Sequence, residues 1–378
     1  MSQAHKAPSP SQSKDSGKSE DAFSSNSVRL SGRQWFAALV VFAAFCVLVP
    51  AAWSRAEHFA PGRDYRVPYS MSDDYWHYAR LCRRARERED VVLIGDSVVW
   101  GEYVSPDKTL SAHLNALDGK RTYANLGVDG THPAAMLGLV RYYGRAISGR
   151  RVLLHFNPLW MTSPRVDLQT EKEFRFNHSK LVPQFFPRIP CFKDPYPNRI
   201  GTAIGRYMPV RAWVNHVSLV YLDNSDPASW TINNPLTSPI GMLTMNLPEP
   251  ETAPRHEQIS WTERGMKPSN FEWVSPEMSL QLMFFKQTAE LLLSRGNRVL
   301  VILGPFNEHA IAAESKAGYG RIIEGMRQWL DKKGIPSFAP PLLPSEQYGD
   351  SSHPLYEGYS IMAKGLLESE AFRREFQQ

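Results

Sequence analysis

The chain has 378 residues and a formal net charge of +5, with 42% hydrophobic and 21% charged residues. This composition is typical of a folded protein with a sizeable core, and it excludes fibrous, mainly disordered and disulfide-scaffold proteins. The length allows one large domain or two small ones. The basic excess is small and spread along the chain, so nucleic acid is not an expected partner.

Cysteine and histidine spacing gives no support for a metal centre. The three cysteines, Cys46, Cys82 and Cys191, form no CxxC pair and no Cys/His cluster of zinc spacing. His132 and His309 belong to no HExxH motif. The sequence therefore predicts no metal and no cofactor. A disulfide between Cys82 and Cys191 is an open alternative if the domain lies outside the cytoplasm.

The N-terminal region combines a polar tail with one apolar segment. Residues 1–33 are rich in Ser, Gln, Lys and Asn and lack apolar periodicity, which predicts a disordered tail. Residues 34–54 carry no charge, and Trp35 and Trp53 stand near the two ends as interfacial anchors. This pattern predicts a transmembrane signal-anchor over 34–54.

The flanking charges favour a cytoplasmic tail and an extracytoplasmic (periplasmic or extracellular) domain. Five basic residues precede the apolar segment: Lys6, Lys14, Lys18, Arg29 and Arg33. Arg55 and Arg63, beyond the segment, weaken this bias. The alternative is a cleaved signal peptide, because Ala51 and Ala52 follow the apolar run as a processing site requires. In both cases the bulk of the protein is exported.

The large domain has the pattern of an α/β protein. After a linker with a first helix at 55–89, short β-branched runs alternate with helical patterns, which is typical of βαβ units and a parallel sheet. The predicted strands are 91–95, 122–126, 151–156, 298–303 and 335–339. The predicted helices are 107–118, 132–148, 278–295, 311–333 and 355–375.

Residues 160–277 interrupt this alternation. Their many prolines break any long helix or strand, so we predict an insertion between the third and fourth strands. A lid or substrate-binding subdomain and a solvated, partly ordered excursion are both open. Within it, 200–222 has the pattern of an interfacial amphipathic helix or of a core helix, although Pro209 interrupts it.

Candidate catalytic residues follow the predicted strands. Ser97 comes directly after the first strand, near a helix N-terminus where backbone N–H groups favour developing negative charge. Asp96 is interpreted as a turn and capping residue. Near the other end of the chain, Asp350 precedes His353 by three residues, a spacing at which a carboxylate can orient an imidazole that takes a proton from serine.

Two further blocks supply candidate donors to an oxyanion. Asn125-Leu126-Gly127-Val128-Asp129-Gly130 follows the second strand, and its glycines allow the backbone to point an N–H at a bound oxygen. Asn157 ends the third strand with a side-chain amide. Since the carboxyl ends of parallel strands share one edge, we expect Ser97, Gly130, Asn157, Asp350 and His353 to meet in one crevice.

In this order and on these elements, the blocks resemble the SGNH (GDSL-type) hydrolase family over roughly 88–158 and 278–370. The resemblance implies a three-layer, flavodoxin-like domain at 90–378 with Ser97 as nucleophile, Asp350 and His353 as its partners, and Gly130 and Asn157 in the oxyanion hole. The third block departs from the family, because it lacks the Gly before and the Asp after Asn157. His155 shares that strand face and is expected to pack beneath the site.

The resemblance and the anchor together imply an exported serine O-acyl hydrolase or acyltransferase that acts on acetyl esters of a cell-envelope or secreted polysaccharide. An integral-membrane partner that supplies the acyl group is consistent with this. The tryptophans of the insertion are consistent with sugar-stacking faces or, more ordinarily, with core packing: Trp213, Trp230, Trp261 and Trp273. The alternatives are a lipid or carboxyl esterase of the same fold and a catalytically silent scaffold.

Overall fold

The structure is a computed structural model that describes residues 30–376. Most of the predicted tail therefore lies outside the described residues. The chain divides into two units between Phe45 and Cys46, and this boundary falls within the first helix. The second unit holds the sheet and every candidate site residue.

The first helix, α1, spans Gly32–Ala56. Its 25 residues reach about 37 Å, enough for the roughly 30 Å hydrocarbon core of a bilayer. Its most apolar window has a mean hydropathy of 2.4 and is only 11% buried, whereas a core helix would bury most of that surface. The predicted N-terminal apolar helix is confirmed as one that is long and apolar enough to cross a membrane.

Eleven further α-helices follow within the described residues. Their bounds are α2 Tyr75–Glu87, α3 Ser97–Trp100, α4 Leu110–Asp118, α5 Pro133–Gly138, α6 Tyr196–Gly205, α7 Pro209–Tyr221, α8 Pro227–Asn233, α9 Leu280–Ser294, α10 Lys316–Lys333, α11 Tyr356–Glu368 and α12 Glu370–Phe376.

Five parallel strands form one sheet. They are β1 Val91–Ile94, β2 Tyr123–Asn125, β3 Arg151–Phe156, β4 Arg298–Leu303 and β5 Ser337–Phe338, in the order β2-β1-β3-β4-β5. This confirms the predicted α/β fold with a parallel sheet, and the order is that of flavodoxin-like sheets. The strand predicted at 335–339 shrinks to two residues.

Both faces of the sheet are buried, because apolar side chains project from each of them. Val92 and Ile94 of β1 belong to one core cluster, with apolar residues of α2, α5, α9 and α10. Val91 and Leu93 belong to a second cluster, with residues of α3, α4, α11 and α12. Because successive side chains of a strand point to opposite faces, the helices cover the sheet in two layers.

Several predicted helices have different bounds in the structure. The helix predicted at 132–148 is α5 followed by a π-helical turn that ends at Tyr143. The one predicted at 311–333 starts at Lys316. The one predicted at 355–375 divides at Ser369, which adopts an extended backbone and whose hydroxyl accepts a hydrogen bond from the N–H of Phe372. A local turn or cap ends the first and third of these helices, and a short 3-10 turn at Ala313–Ser315 precedes the start of the second.

The long segment between β3 and β4 carries α6, α7 and α8 and packs partly into the main core. Leu181, Val182 and Ile189 are buried against the sheet side that holds α5 and α9. The single helix considered at 200–222 is wrong, because Pro209 starts α7 as a separate helix. Cys191 is buried here and is a free thiol, as is Cys82, so the disulfide considered from sequence does not form.

Candidate active site

Ser97 lies at the first position of α3, directly beyond the carboxyl end of β1. The carboxylate of Asp96 caps this helix by accepting a hydrogen bond of 3.1 Å from the N–H of Val98, as its predicted capping role requires. The turn needs Gly95, because a Cβ there would lie 2.4 Å from Val99 and 2.9 Å from His155. Ser97 is 7% exposed, so its hydroxyl stands at the edge of the sheet but largely shielded from water.

His353 reaches Ser97 from the loop between β5 and α11. Its Nε2 lies 2.8 Å from the Ser97 Oγ, and its Nδ1 lies 2.8 Å from the nearer oxygen of Asp350. Asp350 also accepts hydrogen bonds from the backbone N–H groups of Ser352 and His353, which fix its carboxylate in the turn. The structure thus brings the predicted serine, histidine and aspartate into one hydrogen-bonded chain.

Opposing effects set the protonation states of His353 and Asp350. Burial disfavours the imidazolium of His353, but the carboxylates of Asp350, Asp96 and Glu102 outweigh burial and raise the pKa of His353 to about 9. Burial would raise the pKa of Asp350, but the His353 charge and hydrogen bonds to it bring that pKa below its usual value. An imidazolium formed during proton transfer is therefore stabilised here.

The glycine block packs against the turn that carries Ser97. The N–H of Val128 donates to the carbonyl of Gly95 at 3.2 Å, and a Cβ on Gly127 would lie 2.5 Å from the backbone N of Trp100. Gly130 has a φ of +67°, which favours glycine. Within residues 30–376 the structure shows no hydrogen bond from the N–H of Ser97 or Gly130, so both are open donors.

Asn157 follows β3 and is held next to the serine turn. Its amide Nδ2 donates to Asp96 at 2.8 Å, and its Oδ1 accepts from the N–H of Leu159 at 3.0 Å. The indole of Trp160 donates to the same Asp96 oxygen at 2.8 Å. His155 is fully buried, with its Nδ1 3.3 Å from Asp96, which agrees with the expectation that it packs beneath the site.

A pair of carboxyl groups beside the site was missed by the sequence reasoning. Arg255 donates to Glu102 at 3.0 Å and to Asp129 at 3.1 Å, and His256 lies 2.8 Å from Glu102. Burial and the neighbouring Asp129 raise the pKa of Glu102 to about 7. The sequence gives only weak indications of these contacts. Asp129 directly precedes Gly130, but Arg255 lies in a proline-rich segment without a motif.

A pocket of about 230 Å³ opens beside Gly130. Its lining includes the rings of Trp160, Phe174 and Phe176 and the side chains of Arg165 and Arg175. His132 also lines it, and burial lowers the pKa of His132 to about 4, so this ring is neutral at physiological pH. The pocket therefore combines aromatic side chains and two guanidinium groups next to Gly130, and the Arg165 guanidinium lies over the ring of Phe174.

The tryptophans considered for sugar stacking lie elsewhere. Trp230 and Trp261 are each 3% exposed, so neither has a free face, and Trp273 packs against the rings of Phe271 and Phe306. Trp213 meets the ring of Trp53 edge-on. Core packing accounts for Trp230 and Trp261, and Trp160 is the tryptophan that lines the pocket beside the site.

The Nε2 of His309 donates a hydrogen bond of 3.1 Å to the carbonyl oxygen of Leu343. In the part of the chain that the structure describes, no group of three or more His, Cys, Asp or Glu side chains could hold a metal ion.

Comparison of the chain with models of known protein families finds no match, and comparison with curated proteins finds no significant similarity.

Proposed function

We propose that the protein is a serine O-acyl hydrolase or acyltransferase of the SGNH type, anchored to a membrane by α1 and acting on an acyl ester of a glycan. One observation carries the proposal: the Oγ of Ser97, the imidazole of His353 and the carboxylate of Asp350 form a continuous chain of hydrogen bonds at 2.8 Å and 2.8 Å. A buried serine in such a chain is an activated nucleophile.

In the first half-reaction, the Ser97 Oγ attacks the ester carbonyl carbon while its proton passes to the Nε2 of neutral His353. The N–H groups of Ser97 and Gly130, with the amide of Asn157, would donate to the oxyanion. The C–O bond to the alcohol then breaks, and the alcohol leaves with the proton from His353. The product is an acyl ester on Ser97.

In the second half-reaction, His353 takes a proton from an incoming hydroxyl group, whose oxygen attacks the acyl carbon. The bond between the acyl carbon and the Ser97 Oγ then breaks, and His353 returns the proton to that Oγ. With water the protein is an esterase, and with a sugar hydroxyl it is a transferase. The pocket next to Gly130 supports a glycan substrate, because aromatic side chains that include Trp160 and Phe176 line it and such rings can pack on sugar rings.

The test is acetate release from an activated aryl acetate by the full chain in neutral detergent. We expect release in the native protein and its loss in Ser97→Ala and Asp350→Asn, with Ser294→Ala, at the exposed end of α9, as the matched control. A fluorophosphonate probe should label the native protein and not Ser97→Ala. Equal background release and no labelling in all four proteins would contradict the enzyme proposal and favour the catalytically silent scaffold.

A further inference from the structure

A second, strongly cationic pocket lies at the end of α1. It has a volume of about 630 Å³ and is lined by the last turn of α1, the segment that follows and the exposed side of α2. Four arginines line it: Arg55, Arg80, Arg83 and Arg84. None of the catalytic candidates lines this pocket, so the proposed function does not explain it.

Neighbouring cations already compensate the negative charges of the two carboxylates in this pocket. Glu57 is fully buried and forms an ion pair with Arg80, while His216 and Tyr221 bind its other oxygen at 2.8 Å and 2.6 Å. Glu87 pairs with Arg84 at 2.9 Å. The pocket therefore keeps a net positive charge.

The other two arginines are free to bind a ligand. Arg55 donates only to the carbonyl of Ala51, and among residues 30–376 neither Arg55 nor Arg83 makes an ion pair with a carboxylate. Partial burial and the nearby charge of Arg80 lower the pKa of Arg83. A bound anion would relieve this repulsion, because it adds the opposite charge between the guanidinium groups.

The pocket begins where the apolar surface of α1 ends. Val47 and Leu48 are 59% and 64% exposed, and Ala51, the first lining residue, follows Leu48 by three residues, or about 5 Å along a helix. If the apolar part of α1 lies in hydrocarbon, this distance places the pocket in the headgroup layer, where lipid phosphates lie.

We propose that this pocket binds the phosphate headgroup of an anionic membrane lipid. Arg55 and Arg83 would contact the phosphate oxygens, since a guanidinium fork matches phosphate geometry. A volume of about 630 Å³ accommodates a headgroup larger than free phosphate, and its position at the end of an apolar helix favours a ligand whose acyl chains lie beside that helix.

The test is calorimetric titration of the full chain, in neutral detergent, with short-chain phosphatidylglycerol, short-chain phosphatidylcholine and inorganic phosphate. We expect saturable binding of phosphatidylglycerol that is at least about tenfold tighter than binding of the other two. In the double variant Arg55→Gln/Arg83→Gln the dissociation constant for phosphatidylglycerol should rise about tenfold or more.

The control is Arg86→Gln/Arg321→Gln, which removes the same charge from exposed positions on α2 and α10 that do not line the pocket. It should bind phosphatidylglycerol like the native protein, and all three proteins should share one thermal midpoint. Equal dissociation constants for phosphatidylglycerol in the two double variants would contradict binding at Arg55 and Arg83. Equal affinity for inorganic phosphate would overturn the lipid assignment in favour of a free-phosphate site, and equal affinity for phosphatidylcholine would show that charge does not select the ligand.

Discussion

The side-chain amide of Asn157 donates a hydrogen bond of 2.8 Å to the carboxylate of Asp96, the residue directly before Ser97. This bond joins the ends of β3 and β1, the two neighbouring strands between which the order of the sheet reverses. Asn157 therefore fixes the turn that carries Ser97. Among the described residues no hydrogen bond occupies its second amide hydrogen, which remains available to a substrate oxygen.

We predict that Asn157→Ala lowers kcat/KM for ester cleavage by about 10²- to 10³-fold, the usual loss when one donor to an oxyanion is removed. The matched control is Trp160→Phe, which removes the other side-chain donor to the same Asp96 oxygen and keeps the aromatic ring. Its loss should be below about tenfold. Equal losses in the two variants would show that Asn157 acts only by holding Asp96.

The pH dependence of the reaction should follow the charge around His353. The general base must be neutral, so kcat/KM should rise with pH through the pKa of His353, which lies above its usual 6.5. Glu102 contributes to the raised pKa of His353. Glu102→Gln should therefore move the rise of kcat/KM to lower pH. The measurement is kcat/KM against pH in both proteins.

Glu324→Gln is the control for this pH shift, because Glu324 is an exposed carboxylate on α10. Its pH profile should match that of the native protein. A rise at or below the ordinary histidine value in the native protein, or an unchanged profile in Glu102→Gln, would mean that these carboxylates do not tune His353.

Gly127→Ala should destabilise the fold by about 1–3 kcal/mol, because the added Cβ would lie 2.5 Å from the backbone N of Trp100, which cannot move without displacing α3. Gly320→Ala, within α10, meets nothing within 4 Å and should be neutral or stabilise by about 0.5–1 kcal/mol. Chemical denaturation of both variants measures the difference. Equal stabilities would show that the contact between Gly127 and Trp100 relaxes freely.

The buried ion pair and hydrogen bonds of Glu57 should contribute to the free energy of unfolding. Removing one partner of a buried pair leaves an uncompensated charge, so Glu57→Gln should lower the free energy of unfolding by about 3–5 kcal/mol. Glu87→Gln, at an exposed ion pair on α2, should have no measurable effect. A small loss for Glu57→Gln would contradict the assignment of a charged, satisfied network.

The same group predicts a pH window for stability. Burial disfavours the charged form of His216, but Asp74 and Glu57 outweigh it and raise its pKa from 6.5 to about 9. Its contribution is full below about pH 6.5 and is lost as the pH rises to about 9. Burial would raise the pKa of Glu57, but His216, Tyr221 and Trp53 lower it from 4.5 to about 2, so that contribution is lost as the pH falls from 4.5 to about 2.

Denaturation midpoints of the native protein across this range should therefore be highest near pH 4.5–6.5. His216→Phe should flatten the decline on the alkaline side. An alkaline decline that persists unchanged in His216→Phe would assign it to other groups.

The sequence by itself determined the apolar helix, the parallel sheet and the residues that follow its strands. These features are local: an uncharged run predicts α1, and β-branched runs between helical patterns predict β1 to β4. The carboxyl ends of parallel strands share an edge, so the sequence predicts that Ser97, Gly130, Asn157, Asp350 and His353 lie near one another.

Only the tertiary structure decided which side chains touch. The sequence predicts that His353 lies near Ser97, but not that their side chains form a hydrogen bond across 256 positions in sequence. The contact of Arg255 with Glu102, across 153 positions, was not predicted at all. Such distances depend on how loops close over the sheet, which no local pattern encodes. Burial of Trp230 and Trp261 and the cationic pocket at the end of α1 likewise follow from packing between segments distant in sequence. The separate start of α7 is instead a local effect of Pro209, which cannot continue a preceding helix.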